Sequence, residues 1–200
     1  TQSKLTGDGW RLESSAVLRL LDKLRSAGQP LGEYINGRLY RGVTTGLNDA
    51  FVVDSVTKDR LITEHKSSAD ILKPFLRGRD VQQWVVTPQD LWLIFTRRGV
   101  DIKKYPAIHE YLHQYKKQLM PGVPGGRKSG SYEWFEIQDN TEYWQEFEKP
   151  KIVSTKVSLR PTFALDANGC YLGNTTYFFP ADFDSSYLLA LLNSSVFHTY

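Results

Sequence analysis

The sequence predicts an α+β fold, a mixed and largely antiparallel sheet with flanking helices. Amphipathic helical segments and short β-rich segments follow one another without the regular strand–helix alternation of a parallel sheet. Asn168-Gly169 precedes a strand-like run over 171–179, and this dipeptide is typical of turns between antiparallel strands. With 200 residues and 40% apolar composition, the chain can bury a core as one large domain, or as a domain with a short lobe.

The N-terminal part of the chain predicts a helix followed by two strands. Segment 14–27 carries its leucines on one helical face, begins at a serine cap and ends before Gly28. Segments 38–43 and 50–54 are strand-like and flank a turn at 44–46. Ser67-x-x-Asp70 resembles a capping box, so we expect a short helix there, ended by Pro74.

The rest of the chain predicts further strands and two longer helices. Segments 81–86 and 91–96 are β-rich and predict a hairpin across the turn at 87–90. Pro106 begins a helix whose apolar face holds Ile108, Leu112, Tyr115 and Leu119. The remaining expected elements are a loop at 121–130, extended segments at 151–158 and 162–166, and a last helix that starts at Ser185 or Ser186.

Charge is unevenly distributed along the chain. The formal net charge is only +3, yet the segment 97–128 holds eight basic residues against two acids, and the segment 133–148 holds six acids and no Lys or Arg. Such segregation allows a cationic face for a polyanion while the acidic stretch lies elsewhere. Two solvated helix faces would explain the same pattern.

Location and completeness are also expectations at this point. No apolar run reaches the roughly 20 residues of a transmembrane helix, and no export leader is visible, so we expect a cytoplasmic protein with no membrane partner. The single cysteine, Cys170, excludes an internal disulfide. The first residue is not methionine and the last lies in a predicted helix, which suggests a fragment of a longer chain. We expect residues 1–30 to form a linker and helix, and residues 31–200 to form the main domain.

Two patterns suggest metal-dependent chemistry. His109-Glu110-Tyr111-Leu112-His113 has the H-E-x-x-H spacing of zinc hydrolases, although Lys116 and Lys117 follow it and no third ligand is evident. Asp54 with Glu64-His65-Lys66 imitates a nuclease metal site. Phosphate loops of the G-x-G-x-x-G or Walker type and the G-x-S-x-G elbow do not occur. We therefore expect no catalytic residue, metal or cofactor in this chain, and keep a zinc hydrolase as an alternative.

The remaining polar residues favour binding of a polyanion. Guanidinium groups can fork onto phosphate or guanine, and threonine and asparagine can donate to phosphates or to base edges. Trp84 could pack against a sugar or fill the core. The candidate contact residues are Thr44, Thr45, Asn48, Lys73, Arg77, Arg79, Arg97, Arg98, Lys103, Lys104, Arg127, Lys128, Lys151 and Lys156.

Several motifs resemble a known family in order and spacing. They are G-x-T-T-G-x-N-x-A-F over 42–51, K-P-F-L-R-G-R-D-V over 73–81, and weaker matches at 105–108, 134–136, 149–152 and 188–194. Together they resemble the TaqI-like C-terminal specificity domain, over roughly residues 15–200. This is the target-recognition domain of type II restriction-modification enzymes with a fused methyltransferase and of related phage-defence methylases.

The resemblance implies a module, residues 31–200, that recognises a short sequence in double-stranded DNA. A methyltransferase domain of the same polypeptide would bind S-adenosylmethionine and methylate adenine N6, and the presence of a restriction nuclease domain beside it is left open. The methylase motif, Asn or Asp followed by Pro-Pro-Tyr or Pro-Pro-Phe, is absent from these residues, so no activity is expected here. A protein-interaction module of a phage-defence complex is the third class of function left open.

Overall fold

The computed structural model describes residues 14–182 and 184–199 and has the predicted α+β architecture. The chain divides into two units, one ending at Gly37 and the other spanning 38–199. Within the described residues, the first unit contains helices α1 (Ser15–Ala27) and α2 (Leu31–Tyr34). The expected linker before residue 14 lies outside the described residues.

Helix α1 begins and ends as its sequence predicts. The Ser14 side chain accepts a hydrogen bond from the Val17 amide at 3.4 Å, and the Gly28 amide donates to the Leu24 carbonyl at 3.0 Å. These bonds satisfy backbone groups that a helix end would otherwise leave unpaired.

The second unit contains eight strands and seven helices within its described residues. The strands are β1 (Tyr40–Arg41), β2 (Val52–Asp54), β3 (Leu72–Leu76), β4 (Leu91–Ile94), β5 (Lys151–Thr155), β6 (Phe163–Asp166), β7 (Tyr171–Leu172) and β8 (Thr176–Pro180). The helices are α3 (Asn48–Phe51), α4 (Ser55–Glu64), α5 (Ser68–Ile71), α6 (Pro106–His113), α7 (Lys116–Leu119), α8 (Ser185–Leu192) and α9 (Ser195–Thr199). Short 3₁₀ turns lie at Gly78–Asp80, Ile102–Lys104 and Trp144–Glu148.

The strands form two four-stranded sheets. The first sheet has the order β1-β8-β5-β6 and is antiparallel throughout. The second has the order β2-β4-β3-β7, with β7 parallel to β3. Strands β7 and β8 are consecutive but belong to different sheets, so the chain passes from one sheet to the other at residues 173–175. This crossing point positions the candidate site.

An aromatic stack joins the cores of the two sheets. Phe147 lies 4.9 Å from Tyr171 of the second sheet and 4.6 Å from Phe178 of the first, measured between ring centroids. All three side chains are fully buried. Aromatic pairs in such tilted or offset arrangements contribute about 0.5–1.5 kcal/mol beyond the burial of their area. The sheets are therefore held together by packing beneath the crossing point.

Two predicted hairpins are wrong, because the strands pair with partners distant in sequence. Segment 81–86 forms only isolated bridges, one between Val81 and Val86 and one between Trp84 and Ala164. Strand β4 pairs on both sides, with β2 and β3. The turn at Asn168-Gly169 does form, with Gly169 at a φ of 70°, but it joins β6 of one sheet to β7 of the other. Turn residues specify the change of direction, and the partner strand is chosen by packing.

Helix boundaries near the predicted strands also differ from expectation. The first residues of segment 50–54 belong to helix α3, and only Val52–Asp54 is a strand. Pro74 does not end helix α5 directly, because it lies within β3 opposite Trp92. The predicted helix is divided in two: α6 holds the buried Ile108 and Leu112 but ends at His113, and the buried Leu119 lies in α7.

Candidate nucleic-acid interface

Close backbone contacts meet at the turn where the chain crosses between the sheets. We call Gly42, Gly78 and the turn 173–176 the glycine junction. A Cβ atom on Gly42 would lie 2.0 Å from the Gly173 carbonyl oxygen, and one on Gly78 would lie 2.6 Å from the Thr175 Oγ1. At Gly42 the contact is with backbone, so glycine is required by contact rather than by backbone conformation, whereas at Gly78 the contact is with a side chain that can move.

Hydrogen bonds hold the glycine junction together. The Gly173 amide donates to the Leu76 carbonyl at 3.0 Å, and the Val43 amide donates to the Leu172 carbonyl at 2.7 Å. The Thr176 side chain donates to the Gly173 carbonyl at 2.7 Å, which closes the turn. The two motifs at 42–51 and 73–81, separated in sequence, are thereby brought to the same turn.

A third segment reaches the glycine junction from the first sheet. The Lys156 amide donates to the Thr175 carbonyl at 2.7 Å, directly after β5 ends. The 3₁₀ turn Gly78–Asp80 packs against the same strand. The junction therefore places Arg77 and Arg79 beside the loop that connects β5 to β6.

Arg77 and Arg79 differ in their availability for a ligand. The Arg77 guanidinium donates two hydrogen bonds of 3.0 Å to the carboxylate of Asp80, whose side chain is buried. Arg79 is exposed and forms no ion pair with any described residue. The two arginines line an open depression of about 380 Å³ with Asp80, Gln82, Thr87 and Gln89. Arg79 thus carries the free charge of this depression, and Arg77 is held in place beside it.

The loop between β5 and β6 adds two further cations. Lys156 and Arg160 are both exposed, and neither forms an ion pair with a described residue. We call Arg79, Lys156 and Arg160 the junction cluster. The sequence-based candidates did not include Arg160, Gln82 or Gln89, although 149–165 contains four basic residues and no acid. That local imbalance was the available signal for Arg160.

Trp84 lies beside the first residue of β6 in a conformation that tryptophan rarely adopts. Its φ is 76°, and its amide donates to the Phe163 carbonyl at 2.9 Å. About half of its surface is exposed. Left-handed backbone at a bulky residue is unfavourable by roughly 1–3 kcal/mol and occurs mainly at functional positions. Trp84 is therefore an exposed aromatic surface beside the start of β6 and does not fill the core.

The turn at Thr44–Asn48 is anchored to the segment 136–139. The Thr44 amide donates to the Asp139 carboxylate at 2.9 Å, and the same carboxylate accepts from Arg41 at 3.2 Å. Thr45 is buried, and its hydroxyl donates to Asn48 Oδ1 at 2.7 Å. The expected ligand contact of the Thr45 side chain is contradicted, because its hydroxyl is used internally. Asn48 is exposed, and its side-chain NH₂ remains available as a hydrogen-bond donor to a ligand.

Arg127 is a structural residue and does not belong to a DNA-contacting loop. Its guanidinium is buried and donates to four carbonyl oxygens at 2.8–2.9 Å, those of Leu119, Thr45, Glu136 and Trp134. Burial lowers the pKa of Arg127 to about 10. The loop at 121–130 is therefore fixed by its own arginine, which corrects the expected role of Arg127. Lys128, the next residue, is exposed.

Arg98 is likewise committed to the protein backbone. It donates to the Ile137 and Gln138 carbonyls at 2.9 Å and pairs with Glu136 at 3.4 Å. The expected phosphate contact of Arg98 is contradicted in this structure, because its donors hold the segment 136–138 in place.

Lys151 is also buried, contrary to the phosphate contact expected from the sequence. Its ammonium lies 2.6 Å from Asp166 Oδ2 and 2.6 Å from the Phe147 carbonyl oxygen. Neither Lys151 nor Asp166 is exposed to solvent, and burial lowers the pKa of Lys151. The pair links β5 to β6 in the core, so this cation is unavailable to any ligand.

A second group of cations surrounds a cleft at the other end of β3. The cleft measures about 330 Å³, and its walls include Lys73, Arg97 and Lys104 together with Phe95 and Trp144. Lys73 pairs with Glu148 at 2.9 Å, and Arg97 lies over the Trp144 ring at 5.3 Å. Lys103 is exposed in the adjacent 3₁₀ turn. These four candidates form a group separate from the junction cluster.

The zinc-hydrolase alternative finds no metal site in the described residues. His109 and His113 both pack on Trp134, at ring-centroid distances of 5.4 and 5.9 Å, and Lys116 lies over the same ring. Within residues 14–182 and 184–199, with the His198 side chain outside the description, no three His, Cys, Asp or Glu side chains gather around a common point. The histidine pair is part of an aromatic cluster.

The two carboxylates of the nuclease-like pattern lie at opposite ends of a helix. Asp54 caps α4 by accepting from the Thr57 amide at 2.8 Å, and Glu64 is the last residue of the same ten-residue helix. A helix of that length places its ends about 15 Å apart. The two carboxylates therefore cannot share a metal ion.

Comparison with known proteins identifies the family. A model of the TaqI-like C-terminal specificity domain matches residues 73–200, well over half of the chain. The chain therefore belongs to the TaqI-like C-terminal specificity domain family, as the motif at 73–81 predicted, and the motif at 42–51 lies outside the matched residues. No curated protein matches the chain.

A solved structure shares the fold. The Type IIL restriction-modification enzyme MmeI, determined in complex with DNA, is similar with a TM-score of 0.52 and 17% sequence identity. The similarity covers 80% of this chain and 21% of that chain, so this chain spans about a fifth of that enzyme. In the described residues, no helix has the length and apolar character needed to span a membrane.

Proposed function

We propose that this chain is the module that recognises a specific double-stranded DNA sequence for a restriction-modification polypeptide. In this proposal, the glycine junction presents the junction cluster and the depression beside it to the duplex. The observation that carries the proposal is that the turn 173–176 contacts both the loop of Arg79 and the loop that holds Lys156 and Arg160. All three cations are exposed and form no ion pairs among the described residues. Membership in the specificity-domain family supports it.

The chemistry of the depression suits base recognition as well as phosphate binding. Arginine forms paired hydrogen bonds with guanine, and glutamine does so with adenine. Arg79, Gln82 and Gln89 line the same depression, while Lys156 and Arg160 lie on the neighbouring loop. We therefore assign base contacts to the depression and phosphate contacts to Lys156 and Arg160. Thr44, Asn48, Lys128 and the cations around the Lys73 cleft remain proposed outer contacts.

The parent polypeptide, in our proposal, carries the chemistry. A methyltransferase domain would bind S-adenosylmethionine and methylate adenine N6 in the recognised sequence, in the cytoplasm. Such a domain must turn its target base out of the stack, and a separate module that grips the duplex in register makes this feasible. The chain itself contributes position and specificity.

Selection from a random duplex library tests this function. Repeated binding and amplification should enrich a short common sequence with the full chain. Arg79→Ala should weaken binding to the enriched sequence by about 1–3 kcal/mol and relax the preference at one base pair, because a direct base contact is lost. Lys149→Ala, at the opposite end of β5, is the matched control and should keep the preference. A library that stays random after selection would rule out sequence recognition.

A further inference from the structure

The loop between β5 and β6 carries the two most exposed large apolar side chains of the described residues. Leu159 is 98% exposed and Val157 is 88% exposed. We call residues 156–162 the β5–β6 tip. A leucine and a valine side chain that are both exposed to water at one loop would be stabilised by contact with an apolar surface of a ligand.

The tip is held in shape by its own hydrogen bonds. Thr155 Oγ1 and Thr162 Oγ1 are 2.6 Å apart and close the base of the loop. Ser158 donates its hydroxyl to the Arg160 carbonyl and accepts from the Arg160 amide. Below the tip, β5 and β6 pair in a regular antiparallel register. A pre-formed tip loses little conformational freedom when it is inserted into a ligand.

The surroundings of the tip are cationic. Lys156 and Arg160 flank the two apolar side chains, and 149–165 contains no Asp or Glu. The tip is also tied to the glycine junction, since the Lys156 amide donates to Thr175. An apolar wedge between two cations complements the double helix, whose phosphates are anionic and whose stacked bases are apolar.

We propose that the β5–β6 tip inserts Leu159, supported by Val157, between adjacent base pairs of the bound duplex. Lys156 and Arg160 contact the phosphates on either side of the opened step. Apolar wedges of this kind unstack bases locally and bend the duplex. This inference rests on the proposed DNA-binding function and adds a deformation of the DNA to it.

Duplexes with and without an abasic site provide the test, since no target sequence is needed. Part of the unstacking is already complete at an abasic site, so the full chain should bind that duplex about tenfold more tightly than the intact one. Leu159→Ala should remove most of this preference, and Leu159→Met should keep it. Fluorescence of 2-aminopurine beside the abasic site should rise with the wild-type chain and with Leu159→Met only.

Val56→Ala is the matched control, because Val56 is a 77% exposed apolar residue at the start of α4. It should leave the preference unchanged. Equal binding of the two duplexes by the wild-type chain, or a preference retained in Leu159→Ala, would overturn the wedge and leave DNA binding intact. Absence of binding to either duplex would instead refute the proposed function, and the wedge with it.

Discussion

Replacing Arg127 by methionine is expected to lower the free energy of unfolding by about 3–5 kcal/mol. The substitution removes the Arg127 donor from four backbone carbonyl oxygens, of which that of Thr45 still accepts from the Gln138 amide at 3.2 Å. Each buried group left unsatisfied costs roughly 1–3 kcal/mol before relaxation. Relaxation and water entry reduce the sum to the range known for breaking a buried charged network. Urea denaturation monitored by circular dichroism measures the change.

The neighbouring residue supplies the control for Arg127. Lys128→Met removes a cation from the same loop, but Lys128 is exposed, so the unfolding free energy should change by less than about 0.5 kcal/mol. Arg127→Lys should recover only part of the loss, because an ammonium cannot reproduce the planar fork that bonds several carbonyls. A loss below about 1 kcal/mol in Arg127→Met would contradict the assigned structural role.

Substituting Gly42 by alanine is expected to be the second most damaging change. The new Cβ would meet a backbone carbonyl oxygen at 2.0 Å, and backbone cannot rotate away as a side chain can. Overpacking of this kind typically costs about 1–3 kcal/mol, and we expect the upper end of that range. Relief of the clash should displace the turn 173–176. The thermal unfolding temperature and the affinity for duplex DNA should therefore both fall.

Substitutions at two other glycines serve as comparisons for the stability loss expected in Gly42→Ala. In Gly78→Ala the close contacts of the new Cβ are with the hydroxyl and Cβ of Thr175, at 2.6 and 3.3 Å, so the loss of stability should be smaller. Adding Thr175→Ala should restore much of that stability. Gly32→Ala has no atom within 4 Å of its new Cβ and should be neutral or slightly stabilising. Equal effects at Gly42 and Gly32 would contradict the close approach at the junction.

The sequence predicted the class of fold and several local elements, because these depend on local patterns. The capping serine before α1, the apolar face of α6 and the glycine-bearing motifs are local features, and the structure has each of them. Arg79 was a candidate because guanidinium groups on a glycine-bearing loop suit phosphate binding, and it is exposed.

The same sequence reasoning could not separate exposed cations from buried ones. Arg127 and Arg79 both follow a glycine in a loop, yet only Arg127 is surrounded by carbonyls from segments distant in sequence. Lys151 is buried because the β5–β6 register places it opposite Asp166, and register is set by long-range packing. An aspartate at the end of the following strand was the one available signal.

The salt dependence of duplex binding tests the central claim most directly. Log K for a random-sequence duplex should fall linearly with log salt, by about 0.9 for each phosphate neutralised. Arg79→Ala/Lys156→Ala/Arg160→Ala should reduce the slope by up to about 1.8, because Lys156 and Arg160 are the two residues of the cluster assigned to phosphates, and Lys149→Ala should leave it unchanged. An unchanged slope in the triple variant, or a wild-type affinity that does not respond to salt, would contradict a DNA-binding surface at the glycine junction.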